Sequence, residues 1–134
     1  VVEIPIARFA ACRASDEDRQ LLRAIAFRFS PDMALDEFRQ LDREFHSAIA
    51  RACGNATLAE VHGKVMESLF KSREFDTLLD SKQNRAVVRE IIRDAAGMHQ
   101  EIADAIARGD WAAAVECADA HLEQVEKQMI AKMV

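Results

Sequence analysis

The stretch LDREFHSAIARACGN, residues 41–55, sets Asp42 and His46 four positions apart, on the same helical side as Phe38, Phe45 and Ile49. Residues three and four apart meet on one face of an α-helix, so this pattern predicts an amphipathic helix carrying a carboxylate and an imidazole on its apolar side. A carboxylate buried without a partner is costly. A fold that accepts this helix must bring something to Asp42 and His46 that compensates them.

Punctuation on either side extends the reading. Gly54 suits the end of this helix and Asn55 the cap of the next. Ser15, followed by early carboxylates in SDED, caps an earlier helix. Gly109 fits a C′ position and Asp110 an N-cap, so the last two helices should form an antiparallel hairpin. The periodicity predicts helices over residues 1–14, 15–29, 34–53, 56–75, 82–108 and 111–133, with SPDM and DTLLDSK as connections. The fifth would extend about 40 Å. No period-two strand, repeat or low-complexity tract interrupts the series. The expected architecture is all-α, an antiparallel bundle of about six helices forming one domain across residues 1–134.

Composition agrees with a helical protein: half of the 134 residues are hydrophobic, 31% are charged, and there are only 4 Gly and 2 Pro. A net charge of −5 disfavours a direct grip on nucleic acid or an anionic membrane. Cys12, Cys53 and Cys117 are odd in number and set among alanines and aliphatics, which reads as free, buried thiols rather than a disulfide framework. The chain has no apolar run of membrane-spanning length and no signal-peptide pattern, so a cytoplasmic location is expected. It begins at Val1 inside a helical pattern, as an excised part of a longer protein would.

The histidines carry the chemistry. His99 lies in line with Ile92, Ala95, Ala96, Ile102 and Ile106, and His121 with Cys117, Ala118 and Val125. With Asp42 and His46 they give donors on three helices that could surround one metal ion inside a bundle. Such a set suits Zn, Ni, Mn or Fe better than Ca or Mg. Spacing alone leaves ligation and a packing role both open for each histidine.

LDREFHSAIARACGNATL, followed by MHQEIADAIARGDWAAAVECADAHL, resembles the effector-binding FCD domain of the FadR subgroup of GntR-family transcription regulators. The resemblance runs over nearly the whole chain, including VEIPIARFAACRA as its first helix, and His121 lies 22 positions beyond His99. It implies that Asp42, His46, His99 and His121 ligate one divalent transition metal. It also implies a small carboxylate effector, a homodimer, and DNA contact only through an N-terminal winged helix-turn-helix not present in these residues. Met98 stands where the family often has a glutamate, which removes one possible support for the His99 ligand.

Arg73 is the candidate for an effector carboxylate, because a guanidinium pairs bidentately with that group; a solvated arginine at a helix end is the alternative. His62, in line with Leu58, Val65 and Leu69, is a candidate for pocket lining or effector contact. Trp111 reads as a packing anchor. No H-E-x-x-H, phosphate loop or di-iron motif is present, so a regulatory rather than enzymatic domain is expected, with a metal-dependent enzyme or a purely structural dimerisation bundle as alternatives.

Overall fold

The computed structural model describes residues 2–133. Seven α-helices form among them: α1 (Glu3–Arg13), α2 (Asp16–Phe27), α3 (Leu35–Ala52), α4 (Ala56–Lys71), α5 (Arg73–Asp80), α6 (Arg85–Ala107) and α7 (Trp111–Lys132). A 3₁₀ turn over Lys82–Asn84 leads into α6, and no strand occurs among the described residues. The fold is an all-α bundle.

Local sequence sets most boundaries. Ser15 accepts from Asp18 N–H while the Asp18 carboxylate accepts from Ser15 N–H, a reciprocal box that starts α2. Gly54 and Gly109 hold φ of +67° and +71°, the left-handed conformation that a residue with a Cβ reaches at a cost. Asn55 and Asp110 then accept from Leu58 and Ala113 N–H to open α4 and α7. The α6–α7 hairpin expected at RGDW is formed, and α6 and α7 pack along each other.

The fourth helix departs from its expected span. It ends at Lys71, and Ser72, whose hydroxyl accepts from Phe75 N–H, caps the separate short helix α5 in the region read as a connection. That break raises the count from six helices to seven. The face of α4 is also turned: His62 and Met66 are buried, whereas Val61, Val65 and Leu69 stay more than 40% exposed.

Alanines let α1 approach α7 closely, with Ala10 and Ala114 both fully buried, so the apolar face of α1 is spent inside the chain. Trp111 is half exposed and carries the Arg8 guanidinium over its ring. All three cysteines are free, but Cys12 is exposed rather than buried, with Cys53 buried and Cys117 between.

Arg19 joins helix ends that lie far apart in sequence. Its guanidinium donates to Ala11 O and Ala14 O, each at 3.1 Å, and also to Ile106 O near the end of α6. C-terminal helix carbonyls lack intrahelical partners and sit at the negative end of the helix dipole, so one cation satisfies several at once. Replacing Arg19 with Ala is expected to lower unfolding free energy by about 2–3 kcal/mol, read as a lower urea midpoint at unchanged m-value.

Candidate metal and effector site

Helices α3, α6 and α7 place His46, His99 and His121 so that one ring nitrogen from each lies within 4.8 Å of the others. Asp42, one turn before His46, brings Oδ1 to 3.1 Å from His46 Nε2 and 3.2 Å from His99 Nε2. All four candidate residues therefore meet at one point of the bundle, as their helical periodicities suggested.

Packing fixes the rings. His99 is fully buried against Phe29 and Phe45, with ring centroids 4.2 and 4.8 Å away, and Phe45 is itself fully buried. His121 stands 4.7 Å from the His99 ring and 6.1 Å from the His46 ring, stacked parallel to the latter. The cluster is clamped by aromatic contacts rather than by directed polar partners.

That lack of partners is informative. Neither ring nitrogen of His99 makes a hydrogen bond, although Nε2 lies 3.2 Å from Asp42 Oδ1, and Nδ1 of His121 is likewise buried without one. Buried polar atoms are seldom left unsatisfied. Three imidazoles and a carboxylate form a donor set that fits a transition-metal ion, which would satisfy a nitrogen on each ring.

Electrostatics tend the same way. Burial pushes the His99 imidazole down despite the pull of Asp42, and burial with the neighbouring His99 and His46 pushes His121 down to about 3. Both are therefore neutral at pH 7, the form that ligates a metal. Burial would raise Asp42, but His46 and His99 beside it hold its carboxyl far below the ordinary range. His46 is opposed by burial but raised on balance by Asp42 and more weakly by Glu3. The cluster is thus a fixed carboxylate beside one imidazole, His46, whose proton it favours, and two, His99 and His121, that burial discourages from taking protons.

The Asp42 side chain keeps 30% of its surface accessible, because it borders a cavity of about 350 Å³. Asp42, His46 and His121 form one end of that cavity, and aliphatic and aromatic side chains from α3 to α7 supply most of the rest. His62 is buried on α4 and lines a separate small recess that also touches His46, His121 and Glu3. Burial lowers the His62 imidazole, and His46 adds to that effect.

Arg73 is exposed on the first turn of α5 and does not line the cavity. Arg39 does line it. Its guanidinium sits 4.9 Å from the Phe70 ring and 5.5 Å from that of Phe75, and Nη1 pairs with Asp76 at 2.6 Å. In the sequence Arg39 is marked only by lying one turn before Asp42 on the same helix. Only the α4–α5 corner that folds over it brings it to the cavity.

The FCD domain family matches residues 1–124, more than nine-tenths of the chain. No curated protein and no solved structure gives a significant match. The fold, the meeting of α3, α6 and α7 at the histidine cluster, and the extent of the family match agree: the chain belongs to the FCD domain family.

Proposed function

We propose that the chain is the effector-sensing part of a GntR-type transcription regulator, binding one divalent transition metal and, against it, a small carboxylate metabolite. The observation that carries this reading is the junction of the Asp42–His46–His99–His121 cluster with a largely apolar cavity. Pockets of this size, with a few converging polar groups in an apolar wall, are the usual form of a small-molecule site.

Asp42 and the three histidines would hold the ion. When bound, it supplies a Lewis-acidic centre to which an effector carboxylate can attach. Asp42 contributes negative charge, the imidazoles contribute neutral donors, and the cavity walls exclude water from the acid's hydrocarbon part. Arg39 is the cation that borders the cavity, and His62 would support the cluster from the recess behind it. Regulation follows if the acid favours one arrangement of a dimer over another and so alters the placement of attached DNA-binding domains. DNA contact itself is assigned to such a domain, in keeping with the acidic balance of this one.

The dimer would form through α4. Val61, Val65 and Leu69 recur every fourth residue there and remain 43%, 43% and 41% exposed, whereas Ile6, Ala7, Ala10 and Ala11 of α1 are buried. Light scattering at micromolar concentration is expected to give twice the chain mass, and Val65→Asp to return the monomer with its helicity intact.

Metal content is tested on protein purified without a chelating step. Elemental analysis should find about one transition-metal ion per chain, and His99→Ala or His121→Ala should weaken retention at least tenfold. Stoichiometric metal in both variants would remove the assignment.

Acid binding is tested by thermal shift. At about a hundred times its dissociation constant an acid adds about 2.7 kcal/mol of stability, which should raise the melting temperature of a domain this size by about 10 °C. The shift should appear with metal-loaded protein and vanish in Asp42→Ala. Equal shifts in both would place the acids elsewhere, and consumption of an acid would return the enzymatic alternative.

A further inference from the structure

The cavity has a second polar pole. Arg39 Nη2 is buried and makes no hydrogen bond, although Nη1 of the same guanidinium is paired with Asp76. The group is held in place by Phe70 and Phe75 and cannot turn Nη2 to solvent without giving up those stacking contacts. A buried donor of this kind costs free energy unless something accepts from it. Apart from Glu3, the rest of the cavity lining is apolar, with Phe38, Met66, Leu79, Val88 and Val125 among its residues.

Two features define what would accept from Nη2. Asp76 already balances the Arg39 charge, so a second full negative charge placed there would also face the Asp76 carboxylate across the guanidinium. A neutral oxygen, by contrast, takes the free N–H without that repulsion. Arg39 and Asp42 also start within one turn of α3, a rise of about 5 Å, so the two poles are separated by a short spacer.

Building on the proposed metal-and-acid reading, we infer that the ligand is a two-ended acid: a carboxylate at the Asp42–His46–His99–His121 cluster, a short apolar body, and a neutral carbonyl or hydroxyl oxygen accepting from Arg39 Nη2. Arg39 is then the specificity-determining residue. It selects among acids that the metal end alone would treat alike.

The test uses metal-loaded protein and three matched sets of linear acids of about five to nine carbons, chosen to bracket one helical turn. The sets are simple alkanoates, the same acids with a keto oxygen near the far end, and the corresponding dicarboxylates. Calorimetry should show at least one keto acid binding about tenfold tighter than its alkanoate, and tighter than the diacid, the scale of one hydrogen bond to a charged donor. In Arg39→Met the ratio of keto-acid to alkanoate affinity should fall to about one while metal content stays unchanged. The comparison among ligands on the unaltered protein needs no variant to fold. Equal binding of keto acid and alkanoate at every length would overturn the inference and leave the metal-and-acid reading standing. So would a preference that survives in folded Arg39→Met, while tightest binding by the diacids would overturn the neutral-oxygen assignment. Failure of every acid to bind metal-loaded protein would overturn both readings together.

Discussion

The structure turns on the Asp42 carboxylate. It projects from the inner side of α3 toward imidazoles from its own helix and from α6, in a core otherwise closed by Phe29, Phe38 and Phe45. Removing one partner from a buried charge is far more damaging than never having placed the charge there. The consequence is a mutual constraint. α3 and α6 meet at the height and rotation that put this carboxylate at the cavity rim beside two imidazoles, and α7 presents His121 to the same cluster.

The helix ends serve that register. Gly109 and Asp110 reverse the chain within two residues, which fixes how far along α6 the residues of α7 fall, and so which of them lies beside His99. Arg19 ties the far ends of α1 and α6 together. Close alanine contacts draw α1 against α7 on the opposite side. Each device is local and modest in energy, yet together they remove the sliding freedom that a bundle of smooth apolar faces would otherwise have.

Much of this was legible in the residues because its causes are local. Capping serines, asparagines and aspartates and left-handed glycines act over three or four positions, and helical periodicity alone puts His99 and His121 on inner faces. What escaped depended on tertiary contacts. Ser72 reads as an ordinary helical residue until its hydroxyl takes Phe75 N–H and restarts the helix. The sequence puts His62 in line with Val65 and Leu69 on one side of α4, whereas packing buries His62 and Met66 and leaves Val65 and Leu69 exposed. Arg73 and Arg39 are equivalent in type. What separates them is the Phe70–Phe75 corner that closes over one and leaves the other in solvent.

That corner also carries the helix with no buried residue. α5 rests on α6 and the 3₁₀ turn, yet its Phe75 and Leu79 form part of the cavity wall. Segments with little buried surface open at a small fraction of the free energy of global unfolding. Local opening of this wall is therefore cheapest at α5, where it would break the Arg39–Asp76 pair, while the histidine cluster stays packed on Phe29 and Phe45.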